Sequence, residues 1–400
     1  MSGQIDRLHL HGGAGAGLAS VVAAERALEA RATELGRPLL NLTYADTKRF
    51  PPPAWALEAF TRAASGGGPT YTPYRGNAEV RRHVARSLTT FLGRPIDPER
   101  ELILTPGSQA ALFTVLASML ESGDRVILAD PDYLAYERLL TFLGASVDRL
   151  DLHLNGGSGE LDPEQLRGLI TDDTRCIVLS NPNNPTGAVL SAETVDLVAD
   201  VACEHDLVVV IDELYSRLIY DERPYVHLGT LPAMAERSVT VLGPSKTESL
   251  SGYRLGVAVA PAATIDAMED VLSVAALRAP AYAQWALVHW LVDDEQFIAE
   301  RVADYQRLRD MTIAKLGASP AVDVVVPGGT SYAFPSLTDP SPSDQDVALA
   351  LMEQADVIVN PGYQFGSNGR GSFRICFAQE ERAWERALER IAGALEGLTG

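Results

Sequence analysis

From Glu101 to Ala260 the chain alternates short apolar runs with stretches of helical periodicity. Leu102–Thr105, Arg125–Ala129, Cys176–Ser180, Leu207–Ile211, Val239–Leu242 and Leu255–Ala260 are rich in Val, Ile and Leu with almost no polar alternation. A strand with one wet face alternates; these runs are therefore expected to be covered on both faces, in a parallel or mixed sheet between helices. Gln109–Leu120, Tyr133–Leu143 and Ala192–His205 read as helices between them, which predicts an α/β layer fold. Phe50-Pro51-Pro52-Pro53 marks a boundary, because proline suits neither a helix interior nor a central strand. Before it, residues 1–18 read as a flexible leader, an amphipathic helix is expected from about Leu18 to Leu35, and Leu39–Leu42 is extended. After Gln284 one long helix is expected to about Leu316. A smaller α+β region follows, with strands near Tyr332–Phe334 and Phe373–Phe377.

Composition narrows the function classes. With 400 residues and 46% hydrophobic content the chain can bury a large core, in two lobes. A net charge of -20 argues against nucleic acid and against anionic membrane surfaces. No apolar run is long enough for a transmembrane helix, and the start of the chain lacks a secretory pattern, so a cytoplasmic protein is expected. Cys176, Cys203 and Cys376 lie in apolar patterns and read as buried, reduced thiols. The histidines show no ligand spacing; His9 and His11 belong to the leader, and no metal site is expected.

Candidate chemistry collects at strand ends. Leu242-Gly243-Pro244-Ser245-Lys246-Thr247 ends an apolar run with one lysine, which alone would read as a surface residue. Gly252-Tyr253-Arg254-Leu255-Gly256 then puts an arginine on the next strand. A lysine that attacks a carbonyl must be partly neutral, and desolvation near a cation achieves this; the same arginine can partner a phosphate. In Thr105-Pro106-Gly107-Ser108-Gln109 the glycine allows close approach, and the amides of Ser108 and Gln109 open a helix where an anion binds well. Asp212 ends a wholly apolar strand, a place where a carboxylate calls for a cationic partner such as a pyridinium nitrogen. Ser180–Gly187 alone would be a plain turn, and Tyr133 either a core residue or a platform for a flat cofactor.

Taken together and in order, these segments resemble fold-type I, pyridoxal 5′-phosphate (PLP)-dependent enzymes of the class I/II aminotransferase family, from about Leu39 to Phe377. The family's Ser-Lys, with glycine six and arginine eight residues past the lysine, is met by Ser245-Lys246, Gly252 and Arg254. Its Asn-Pro-x-Asn-Pro-Thr-Gly and Asp-x-x-Tyr motifs are met at Asn181–Gly187 and at Asp212 with Tyr215. Tyr71 with Gly76 and Arg81, Gly328–Tyr332, and Pro361–Gly366 followed by Arg374 are similar to further family segments. The resemblance implies a three-layer α/β/α PLP domain over 51–285. A smaller α+β domain over 286–400 would be joined by the arm 1–50, in a homodimer with the active site at the interface. It implies Lys246 as Schiff-base lysine and general base, Asp212 on the ring nitrogen, Asn184 and Tyr215 on the phenolic oxygen, and Tyr133 stacked on the ring. Ser108, Gln109, Ser245, Arg254 and the partner chain's Tyr71 would hold the cofactor's phosphate end. Arg374 would fork onto the α-carboxylate of an amino-acid substrate, with Ala45 and Asn184 beside it.

Two departures stand out. Gly243 occupies the place of a second phosphate-binding serine, and Leu42–Lys48 lacks the glycine and proline usual there. An aminotransferase in amino-acid metabolism is the leading reading. The alternative is a non-transaminating PLP enzyme of specialised biosynthesis, performing elimination, replacement, cyclisation or carbon–carbon bond formation, with S-adenosylmethionine among its candidate substrates. A transcription regulator carrying this domain would need a DNA-binding segment for which the chain has no room. Arg278 reads as an interface or solvated charge.

Overall fold

The computed structural model describes residues 26, 29–66, 70–339 and 341–399. The leader and most of the Leu18–Leu35 helix lie outside the described residues; 29–35 are helical, as expected for its end.

Nine strands form the main sheet: β1 (Leu102–Thr105), β2 (Arg125–Asp130), β3 (Ser146–Asn155), β4 (Ser158–Leu161), β5 (Thr174–Ser180), β6 (Val189–Leu190), β7 (Val208–Asp212), β8 (Ser238–Leu242) and β9 (Gly256–Val259). Their spatial order is β1-β9-β8-β7-β5-β2-β3-β4-β6. Strands β8, β7, β5, β2 and β3 are parallel, and β9 is antiparallel to both β8 and β1. The C-terminal ends of β1, β2, β5, β7 and β8 consequently share one edge of the sheet, and β9 starts from that edge. Open α/β sheets bind their ligands there.

The apolar runs are covered on both faces, as their composition predicts. Val126, Leu128, Val178, Val210 and Val241 pack toward Leu112, Val115 and Leu116 of the Ser108–Met119 helix. Their neighbours Ile127, Ala129, Ile177, Leu179, Val209 and Ile211 face Val195, Val198 and Ala202 of the Ala192–Glu204 helix. Alternate residues thus enter opposite cores, giving three layers. Truncating one of them, for example Ile177→Ala, is expected to cost about 2–5 kcal/mol.

A smaller region carries the other half of the site. Leu40–Asn41 pairs in parallel with Val357–Ile358, and Phe373–Cys376 pairs antiparallel with both Tyr332–Ala333 and Asn360–Pro361. Helices Glu295–Leu316, Asp344–Ala355 and Glu381–Thr399 pack around it, with buried Trp384 donating Nε1–H to Thr312 Oγ1 at 2.9 Å.

Four expectations need correction. Instead of one helix from Gln284, a short 3₁₀ turn (Ala283–Val288) is followed by a break, with Leu291 at φ +66°, before Glu295–Leu316 begins. The Asp294 carboxylate, which accepts the Leu291 N–H at 3.2 Å, holds that break. The second helix starts at Tyr136 rather than Tyr133, since Asp132 takes the Tyr133 N–H into a local turn. Arg254 lies before its strand, at φ +53°. Cys203 is partly exposed, while Cys176 and Cys376 are buried. Among the described residues no helix is long and apolar enough to cross a membrane, and no His, Cys, Asp and Glu cluster could hold a metal.

Candidate active site

Ser108, Tyr133, Ser180, Asn184, Asp212, Leu214, Tyr215 and Lys246 line one pocket at the shared sheet edge. They come from the ends of β1, β2, β5, β7 and β8, so five separate connections converge because their strands are parallel.

One end of the site is built for an anion. Gly107, at φ +87°, turns the chain from β1 into the Ser108–Met119 helix, whose first N–H groups have no intrahelical acceptor. A side chain on Gly256 would collide with the Gly107 backbone and the Ser108 nitrogen. One on Gly107 would strike the Arg254 guanidinium. The two glycines therefore let β9 and Arg254 press against a helix N-terminus, and both features favour negative charge. Arg254 donates Nη1–H to Ser251 O at 2.9 Å, and Tyr133 O–H reaches Gln109 Oε1 at 3.4 Å. Gly243 sits at φ +155°, and a β-carbon there would lie 3.1 Å from Leu255 O, so a serine in this turn would be strained. Ser245 Oγ–H donates to that same carbonyl, Leu255 O, at 3.3 Å.

The opposite wall carries a carboxylate. Asp212 accepts from Leu214 N–H at 3.0 Å and from Tyr136 O–H at 3.2 Å, and forms no ion pair among the described residues. Burial pushes its carboxyl up to about 6, against those hydrogen bonds and the pull of Lys246. Asp132 is fully sequestered behind it and is pushed up to about 8, again by burial first. It accepts from Ser180 Oγ–H, from Ser180 N–H at 3.0 Å and from Tyr133 N–H at 2.6 Å. This carboxylate, which residue type alone did not single out, ties Tyr133 to Ser180 at the head of the Asn181–Gly187 turn. Tyr133 stands between the two ends of the site, its phenol raised by burial and lowered by Lys246.

Two polar groups are buried and incompletely paired. The Tyr215 hydroxyl has no hydrogen-bond partner, although Tyr332 packs edge-on at 5.9 Å between ring centroids. Burial raises this phenol well above its usual range. Arg374, 4% exposed, donates to Asn184 Oδ1 (2.7 Å), Asn360 Oδ1 (2.6 Å) and Thr43 O (3.0 Å). Its Nε–H has no acceptor, and none of its partners is charged. Tyr332 and Phe365 cover its faces at 4.0 and 4.9 Å. Asn184 thereby touches both the pocket and Arg374.

Other predicted residues lie further out. Ala45 packs against the core beside Thr43, with Asp46 N–H bonded to Ala378 O at 2.8 Å. Tyr71 is 75% exposed and is not part of the pocket lining; with Tyr74 it brackets the Arg278 guanidinium at 5.0 and 4.7 Å. Asn360, Thr43 and Tyr136 were not foreseen, since each acts through a contact distant in sequence.

The profile of the family described as aminotransferase class I and II matches residues 37–391. A probable aspartate/prephenate aminotransferase of Thermus aquaticus is 34% identical, over 92% of this chain and 96% of its own length. The arginine–pyruvate transaminase AruH of Pseudomonas aeruginosa is 31% identical, over 92% of each chain. The crystal structure of an aspartate aminotransferase from Rhodobacter sphaeroides superposes with a TM-score of 0.87 at 36% identity, covering 90% of this chain and 94% of that one.

Proposed function

Because the chain belongs to the class I and II aminotransferases, it is a PLP-dependent transferase, and we propose a role for each residue of its pocket. The side chains fit the cofactor on their own evidence: an anion cradle, a buried carboxylate without a cation, and a buried hydroxyl without a partner. When bound, PLP supplies an electrophilic carbon and an electron-withdrawing ring that acidifies the α-proton of an amino acid. Lys246 Nζ is the amine that holds the cofactor's aldehyde carbon and afterwards moves the α-proton. Asp212 keeps the ring nitrogen protonated, and the Tyr215 hydroxyl and Asn184 amide hydrogen-bond the ring oxygen. Tyr133 stacks on the ring. Arg254, Ser108 and Gln109 hold the phosphate; Ser245 contributes by bracing Leu255 O behind Arg254, in place of a direct hydroxyl contact.

The observation that carries the substrate class is Arg374, a buried cation whose partners are all neutral. A carboxylate completes it, with charge and two-point geometry that the amide and carbonyl oxygens cannot supply. Every α-amino acid brings that group. The domain division at about 50 and 285, a homodimer in which the exposed Tyr71 reaches its neighbour's phosphate, and a cytoplasmic role in amino-acid metabolism belong to the same reading.

The test is a single half-reaction. Holoenzyme mixed with one suitable amino acid, without keto acid, is expected to convert its cofactor fully to the amine form and release one equivalent of keto acid. A panel of aspartate, aromatic amino acids, arginine and S-adenosylmethionine finds the substrate. A cofactor that returns to its starting absorbance while a thioether or other leaving group accumulates would replace transamination by elimination. Borohydride is expected to fix the cofactor to wild-type protein and not to Lys246→Ala.

A further inference from the structure

Two residues past Lys246 and two past Tyr215, the chain buries opposite charges against each other. Glu248 and Asp294 have fully buried carboxylates, and the Arg217 side chain is 11% exposed. Arg217 donates Nη1–H to Glu248 Oε1 and to Asp294 Oδ2 (2.7 Å), and Nη2–H to Asp294 Oδ1 (2.8 Å). Thr247 Oγ1–H donates to the other Glu248 oxygen, and Leu291 N–H to Asp294. The groups facing Glu248 are thus Arg217 from the Tyr215 turn, Asp294 from the head of the next helix, and Thr247 from its own turn. Arg301, about two turns further along that helix, donates Nη1–H to Ser249 Oγ at 2.8 Å, on the same turn as Glu248.

Stability does not explain this arrangement. Two carboxylates on one guanidinium leave an uncompensated charge in the core, and such clusters can often be replaced by apolar side chains at no loss. Burial first, then Asp294, push the Glu248 carboxyl up against the pull of Arg217. What the cluster does provide is geometry. Strands β7 and β8 are locked by backbone bonds only as far as Asp212 and Val241, with Glu213 N–H to Val241 O the last. Beyond that point Arg217–Glu248 is a side-chain link between the two turns; Asp294 ties Arg217, and Arg301 ties Ser249, to the helix leading into the smaller region.

We propose that Arg217, Glu248 and Asp294 are positioning residues that hold the turn bearing Tyr215, the turn bearing Lys246 and the head of the Glu295–Leu316 helix in one register. This rests on the reading of Lys246 and Tyr215 given above. Without the network the amine and the hydroxyl, which line one pocket, lose their fixed separation, and misplacement by about an ångström is enough to slow the chemistry about a hundredfold.

The test uses holoenzyme carrying Glu248→Gln, which keeps shape and removes charge. The expected result is a kcat lowered about 10- to 100-fold with KM for the amino acid within about threefold. The pH midpoint of the bound cofactor's absorbance, a readout independent of turnover, is expected to move by at least about half a unit, equivalent to about 0.7 kcal/mol. The melting temperature stays close to wild type. Adding Arg217→Met to Glu248→Gln is expected to cost far less than Arg217→Met alone, because the two share one interaction. An absorbance midpoint and kcat at wild-type values overturn the proposal, whatever happens to melting; so does a lowered kcat with an unmoved midpoint. If borohydride fixes no cofactor to wild-type Lys246, the functional reading falls and this inference with it. A fixed cofactor with an unmoved midpoint removes the inference alone.

Discussion

Arg309 and Arg374 are equally buried, at 3% and 4% exposure, and both lie over aromatic rings, yet they are surrounded differently. Arg309 grips both oxygens of Asp221, at 2.6 and 2.9 Å, and turns its Nε–H to Asp310 at 2.8 Å. Its charge is answered within the fold, and its hydrogen bonds hold the Asp221 carboxyl below the usual range. Arg374 has only neutral acceptors, and its Nε–H has none. A buried cation without an anion is costly, and a ligand that brings the anion offsets that cost. The pocket is like Arg374 in this respect: Asp212 lacks a cation and Tyr215 an acceptor.

The sharpest way to break this contrast is Asp212→Asn. Turnover is expected to fall about a thousandfold, as for loss of an electrostatic stabiliser. The apoprotein is expected to become more stable. Burial raises the Asp212 carboxyl from 3.8 to about 6, so the charged form is penalised in the fold. That penalty is absent below pH 4, grows as pH rises to 6 and is constant above, with a ceiling of about 3 kcal/mol for a shift of roughly two units. Melting of the apo variant against apo wild type should therefore gain at pH 8 and show almost no gain at pH 4.

Arg374→Lys keeps charge and loses the fork; kcat/KM is expected to drop by about 2–4 kcal/mol for every amino acid, with melting little changed. Arg309→Met should do the reverse, lowering stability by about 2–3 kcal/mol in denaturant titration while leaving kcat/KM in place. Its loss sits below the range for fully buried pairs because the Asp221 side chain is 40% exposed. Smallest of all, Tyr215→Phe removes a buried hydroxyl that has no partner, so apoprotein stability should hold or rise by about 1 kcal/mol. Its cofactor affinity should fall measurably by fluorescence titration.

Much of this was legible because the chemistry sits at the tips of fully apolar strands, where one polar residue is conspicuous. Leu102–Thr105 has the bounds its composition predicts, and Lys246, Asp212, Asn184 and Tyr215 meet in one pocket. Strand Ser146–Asn155 escaped notice because its burial alternates, with Leu150 and Leu152 inward and charged residues between, unlike the continuous runs beside it. Asp132 and the Arg217–Glu248–Asp294 cluster were hidden for another reason. Their meaning lies in contacts 31 to 77 residues away, which no local pattern encodes. The same holds for the helix break before Glu295, where no glycine or proline marks it in the sequence.

The central claim, that Arg374 waits for the substrate's α-carboxylate, is tested most directly by comparing an amino-acid substrate with its decarboxylated amine in single-turnover absorbance. Wild-type holoenzyme is expected to react with the amino acid at least about a hundredfold faster, a difference of about 2.7 kcal/mol, and Arg374→Lys to lose most of that preference. An amine accepted as readily as the amino acid, or a loss in Arg374→Lys confined to substrates with acidic side chains, would contradict it and give the α-carboxylate a different anchor.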